Sequence, residues 1–254
     1  MLKYFISLCF IVCCITGSAQ TDPIDLKPKD TTVYKQPYGI RAGVDLGRVL
    51  NTILNDDYTG IEFTGDYRLS QNLYLAGEIG NEKNTRQEDL FNYTTSGSYI
   101  KLGIDLNVYE NWYGMNNSIF LGGRYGFSTF NQTLNNYQIF NTNRYWNPDE
   151  FALGSTVSEE FKSLSASWLE FVFGTKVELF SNIYLGASVR LSFLVSNKEA
   201  DRFPNLWIPG FNKTTEGSKF GVGYNYSISY MVPLYKKVKK KKKETPESEQ
   251  QLEN

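Results

Sequence analysis

Eight stretches of this chain alternate apolar residues with polar residues or glycine at a period of two, and that repetition leaves few folds open. In a strand, residues i and i+2 share a face, so each stretch has one greasy side and one polar side. Tyr38, Ile40, Ala42, Val44 and Leu46 oppose Gly39, Arg41, Gly43, Asp45 and Gly47. The same reading holds for Ile61–Leu69, Leu73–Ile79, Tyr99–Val108, Ile119–Ser128, Leu169–Leu179, Ile183–Phe193 and Phe220–Leu234. Tyr, Phe and Gly are abundant (18, 17 and 21), a mix that favours strands over helices. Each run has about the nine to eleven residues that cross a bilayer at a tilt.

The links between these runs alternate in length. Ser70-Gln71-Asn72 and Ser181-Asn182 are tight turns, and 108–119 is also a short link. The links at 51–57, 80–97, 131–164 and 195–218 are expected to be longer loops on the opposite rim. Short turns on one rim and long loops on the other is the pattern of a transmembrane β-barrel with its short side periplasmic.

Alternation does not by itself say which face points inward, since a soluble barrel alternates with its apolar face inside. Glycine placement separates the two. Gly39, Gly43, Gly47, Gly60, Gly80, Gly97, Gly103, Gly122, Gly126, Gly174, Gly186, Gly221 and Gly223 fall on the polar face, and only Gly65, Gly77 and Gly123 on the apolar one. A solvated sheet face loses stability by carrying glycine, whereas a narrow interior needs small residues beside long ones. The apolar face also carries more large rings than so narrow a lumen holds. Facing lipid they fit, with Tyr38, Tyr67, Tyr226, Tyr230 and Tyr235 placed for interfacial girdles. The expected fold is an all-β, closed, eight-stranded antiparallel transmembrane barrel with a polar, packed interior.

The polar face then lines the lumen. Arg41, Arg68, Lys101, Arg124, Lys176 and Arg190 face Asp45, Glu62, Asp66, Glu78, Asp105, Glu170 and Glu178. Charges in so narrow a space must pair or be hydrated. Near-balance of sign favours a salt-bridged plug over an ion-selective pore, which would carry an excess of one sign.

The flanks divide into three segments. Residues 1–19 read as a cleaved secretory signal: Lys3, an apolar stretch from Tyr4 to Ile15, then Gly17-Ser18-Ala19. All three cysteines (Cys9, Cys13 and Cys14) lie within it, which leaves no thiol chemistry to the mature chain. Acylation of Cys13 or Cys14 is disfavoured, because Val12 and Cys13 precede them where a small residue is needed. Residues 20–37, with Pro23, Pro28 and Pro37, read as a flexible periplasmic linker, 38–235 as the barrel, and 236–254 as a disordered periplasmic tail. The tail begins with Lys236, Lys237, Lys239, Lys240, Lys241, Lys242 and Lys243. Two readings of that run stay open: a solvated tail, or a contact with anionic inner-leaflet lipid or a periplasmic partner. Export and a formal net charge of -1 argue against nucleic acid.

The eight runs, the charged lumen and a final strand from Tyr224 to Tyr235 with a bulky residue at every second position resemble small outer-membrane barrels of the OmpA transmembrane-domain and OmpX type. A signal ending in Ala19-Gln20 is similar to those of exported Bacteroidota proteins. The resemblance spans 38–235 and implies an outer-membrane location, lipid contact and insertion by the barrel-assembly machinery. The chain departs from the pattern by continuing past its last strand.

The chain has no histidine. Ser-His, Cys-His and His-metal chemistry are therefore excluded, and no motif indicates a cofactor or metal site. Glu159-Glu160 is an adjacent carboxylate pair expected to be solvated. Asn147-Pro148-Asp149-Glu150 has the form of a helix start. Tyr145, Trp146, Phe151 and Trp207 are aromatic loop residues with two readings: an exposed contact surface or a cap over the barrel mouth. The expectation is a non-enzymatic barrel with a structural, assembly or envelope-interaction role, against a small channel or a surface adhesion or ligand-binding barrel.

Overall fold

The computed structural model describes residues 35–109, 116–140, 151–155, 157–200, 202–214 and 217–238. The expected signal, nearly all of the linker, Tyr145, Trp146, the helix start at 147–150 and Lys239 to Lys243 lie outside them.

The period-two runs form strands: β1 (Lys35–Asp45), β2 (Tyr58–Arg68), β3 (Leu73–Gln87), β4 (Phe91–Asn107) and β5 (Ser118–Phe140). They continue as β6 (Phe151–Ser155), β7 (Glu159–Phe180), β8 (Ile183–Lys198), β9 (Trp207–Ile208), β10 (Asn212–Lys213) and β11 (Phe220–Val238). One helix, α1 (Leu46–Leu54), follows β1. Strands β1 to β5, β7, β8 and β11 each pair antiparallel with the next, and β11 returns to β1 from Lys35↔Val238 to Asp45↔Ser227. The eight therefore close into a ring. Strand β6 adds to the far end of β5, and β9–β10 is a small hairpin within the β8–β11 link.

Burial is inside-out. Ile40, Phe63, Leu75, Ile79, Leu102, Tyr125, Phe171 and Val189 lie open on the outer face, while Glu62, Lys101, Asp105 and Arg190 are buried. An outer belt of this kind is stable only against hydrocarbon, so the barrel is of the outer-membrane type. No helix among the described residues is long and apolar enough to cross a membrane. Glycines follow the same division. A Cβ on Gly126 would overlap the Trp168 indole and one on Gly80 the Tyr99 ring, whereas one on Gly123 would meet nothing.

Four features differ from the sequence expectation. Strand β1 gives way at Asp45 to α1 instead of running on through Gly47. The loop expected at 80–97 is strand for all but residues 88–90, and much of 131–164 belongs to β5, β6 and β7. Strand structure outlasts the apolar belt because Asn81, Lys83 and Thr85 take the outward positions of β3 opposite Ser98, Ser96 and Thr94 of β4. The chain also remains in strand at both flanks, where Lys35–Pro37 pair with Lys236–Val238. A register shift between Tyr38 and Gly39 turns Tyr38 inward, where it stacks on Tyr235 at 5.3 Å rather than standing in the outer girdle.

Candidate functional site

The lumen is built by every second residue of the eight strands. At the short-turn end, Arg41 Nε donates to Asp66 Oδ1 at 2.7 Å and Lys176 Nζ to Asp66 Oδ2 at 2.6 Å. Arg124 Nη2 donates to Asp105 Oδ2 at 3.1 Å, and its Nη1 contacts Glu78. In the middle, Arg190 holds Glu78 through two bonds of 2.6 and 3.0 Å, the bidentate geometry that makes such pairs strong. Lys101 Nζ lies 3.2 Å from Glu170, 3.5 Å from Glu78 and 3.9 Å from Glu62.

Glu62 is the hub of the upper lumen. Tyr99 Oη donates to it at 2.6 Å, Asn225 Nδ2 at 3.0 Å and Arg48 Nε at 3.2 Å, with Arg190 at 3.7 Å. Arg48 also contacts Glu82 and lies 3.4 Å from Asp45. Trp168 Nε1 donates to Glu170 at 2.7 Å. Each of these carboxylates meets at least one cation or hydrogen-bond donor. Among the described residues no group of three or more His, Cys, Asp or Glu is placed to hold a metal ion. The space left between Arg41, Asp66, Glu78, Arg124, Lys176 and Arg190 is about 30 Å³, room for on the order of two water molecules.

The long-loop end is closed by the β8–β11 link. Ile208 and Phe211 pack with Tyr99, Phe130, Leu164, Ala166, Trp168 and Leu194. Phe211 meets Trp168 edge-on at 5.8 Å. Gly210, at φ +83°, leans on the Tyr99 ring and its N–H donates to Glu82 Oε2 at 3.0 Å. Gln132 pins the approach to this turn: its Nε2 donates to the Pro204 carbonyl at 2.8 Å, and its Oε1 accepts from Leu206 N at 3.2 Å. The arrangement is a two-layer stopper, with an aromatic cap over a paired-charge plug.

A family model described as a domain of unknown function, DUF6048, matches residues 1–237. The chain belongs to the DUF6048 family. No curated protein matches it. Among solved structures, this DUF6048 chain is similar to the attachment invasion locus protein Ail of Yersinia pestis, with 12% identity and a TM-score of 0.40, over 78% of this chain and 99% of that one. It is also similar to Neisserial surface protein A, with 10% identity and a TM-score of 0.37, again over 78% and 99%.

Within this DUF6048 barrel, Arg41, Asp45, Glu62, Asp66, Glu78, Lys101, Asp105, Arg124, Glu170, Lys176 and Arg190 come together in the lumen. Arg68 and Glu178 stay apart at the short-turn rim. Arg68 donates to Gln36 Oε1 and to the carbonyls of Pro37, Ser70 and Gln71. Glu178 accepts from Asn116 Nδ2 and Asn182 N, because it lies at the end of β7 below the ionic layers. The sequence does not single out Arg48, which follows the first alternating run at Gly47, or Glu82, which falls in the expected 80–97 loop. The signal for Arg48 is the change of period after Asp45.

Trp207 belongs to the cap. It is buried, and the Arg86 guanidinium sits 4.7 Å from its ring centre. The exposed-contact reading fails for this residue, because the turn that carries it folds back into the mouth. Phe151 lies in β6. Glu160 is paired with Lys162 at 3.1 Å on the exposed end of β7. At the opposite rim, Lys237 Nζ lies 5.0 Å from the Tyr38 ring and 5.1 Å from that of Tyr235, which fixes it in the strand pair.

Proposed function

We propose that this chain is a closed, non-conducting outer-membrane barrel whose role is interaction at the cell envelope rather than transport or catalysis. The observation that carries this reading is the stopper: paired charges fill the lumen and the 202–214 turn seals its mouth. An ion entering would have to displace carboxylates already held at 2.6–3.2 Å, at a desolvation cost no unpaired site repays.

In this reading the short-turn rim, where the first and last strands meet, faces the periplasm. The polar ridges of β3, β4 and β5 stand outside the cell as the contact surface. The lysine run beyond Val238 lies on the periplasmic side, where it meets anionic lipid or an acidic partner. The absence of histidine from the chain and the neutralised lumen carboxylates support a non-enzymatic role.

The test is reconstitution of the full chain into planar bilayers. No discrete conductance steps are expected. Stable steps that vanish on removing the protein would overturn the closed-barrel reading. For the tail, a partner recovered by mild-detergent pull-down and lost on deleting 239–254 is the expected result; identical recoveries from both forms would remove the tail from the contact surface.

A further inference from the structure

The barrel wall is incomplete beside α1. Strand β1 stops at Asp45, where its last partners are Phe63 across to β2 (through Val44) and Ser227 on β11. Beyond that point β2 continues to Tyr58 and β11 to Phe220, with no β1 residue between them. Helix α1 occupies this stretch, packed against both strands. Asp45 caps it, its Oδ1 accepting from Gly47 N at 2.7 Å.

The helix has two unlike faces. Its inner side sends Arg48 to Glu62, Glu82 and Asp45 in the lumen. Thr52 lies on that side too: its hydroxyl accepts from Gly60 N at 2.9 Å and donates to Gly60 O at 3.0 Å. Those are backbone groups of β2 that β1 would otherwise pair, and hydrocarbon does not tolerate them bare. The other side gathers Leu46, Val49, Leu50, Ile53 and Leu54 at helical spacing. Leu50, Ile53 and Leu54 are 55%, 71% and 81% exposed, and no residue of the helix is buried.

We infer that α1 is a membrane-facing wall segment: its Leu50–Ile53–Leu54 face contacts the acyl chains of the leaflet on the long-loop side. The ground is continuity. The exposed Ile61 and Phe63 of β2 lie on one flank and Val222, Tyr224 and Tyr226 of β11 on the other, all outward-facing members of the apolar belt. A helix set between two lipid-facing strands, with its charged side inward, carries that belt across the gap. The inference rests on the transmembrane reading of the barrel.

The chain holds no cysteine after Cys14, so single-cysteine labelling is clean once the unmodified chain has been run as background. L50C, I53C and L54C would each be labelled with an environment-sensitive fluorophore in the full chain. They would be reconstituted in phosphatidylcholine vesicles with plain or brominated acyl chains. V222C and I61C report the belt, and D56C reports the water beyond it. Retained heat-modifiable gel mobility selects folded protein.

Bromine quenching at the helix positions comparable to that at Val222 and Ile61, with little effect of aqueous iodide, is expected. If the belt positions are quenched while the helix positions respond only to iodide, the inference fails and the membrane reading stands. If the helix positions respond to neither quencher, a second copy or another protein covers the face and the inference also fails. If Val222 and Ile61 themselves are not quenched, the membrane reading fails and this inference goes with it.

Discussion

Glu62→Gln is the sharpest probe of the plug. The substitution keeps the shape of the side chain and removes its charge. Glu62 is fully buried, with Arg48 at 3.2 Å, Arg190 at 3.7 Å and Lys101 at 3.9 Å, and it accepts from Tyr99 and Asn225 besides. Removing one member of a buried ionic set costs about 3–5 kcal/mol, because the partners stay buried without compensation. Glu78, Glu82 and Glu170 still hold the three cations, which places the expected loss near the lower bound, about 3 kcal/mol. With a urea dependence of about 1–3 kcal/mol/M, the unfolding midpoint of the reconstituted barrel should fall by roughly 1–3 M. The measurement is tryptophan fluorescence against urea in vesicles, checked by gel mobility. Glu178→Gln is the control: its carboxylate sits half-exposed at the rim, and its loss should cost under about 1 kcal/mol. Equal midpoints for the two variants would refute the claim that the ionic lumen holds the barrel together.

Two further perturbations separate inside from outside and cap from wall. Gly126→Ala puts a methyl into the Trp168 indole and should destabilise by about 1–3 kcal/mol, while Gly123→Ala projects into open space and should stay within about 0.5 kcal/mol of the parent; equal urea midpoints would reverse the assignment of faces. Phe211→Ala removes the ring packed on Trp168 and should expose 202–214 to limited proteolysis while the barrel strands stay resistant, and an unchanged cleavage pattern would mean the cap is held without its aromatic anchor.

The barrel was legible because lipid and lumen impose opposite demands on neighbouring residues. Alternation from Ile100 to Leu106 or from Ile183 to Phe193 states both demands at once, and glycine at 126 but not at 125 says which side is crowded. What was missed lies where that contrast fades. Beyond Ile79 the outward residues become Asn81 and Lys83, so both faces are polar and the hydropathy signal ends although the strand does not. In α1 the alternation of β1 passes into Leu46, Val49, Leu50, Ile53 and Leu54, a period near 3.6, over too few residues to stand out after a strong strand. Arg48 and Glu82 were lost with those two segments. The cap was undecidable from sequence, because Trp207 and Phe211 suit an exposed surface and a sealed mouth equally. It is Gln132 on β5 and Glu82 on β3, distant in the chain, that fold the turn inward.

The first strand meets the last along its whole length, yet its register with β2 runs only from Ile40 to Val44. Those two edges lie almost two hundred positions apart, so their meeting is the slowest kind of encounter a chain of this length can make. Without that pairing the sheet would have two bare margins and an open, charged hollow. Joining them encloses the ionic groups in a single act. The clasp between first and last strand is therefore what keeps the charged hollow away from hydrocarbon.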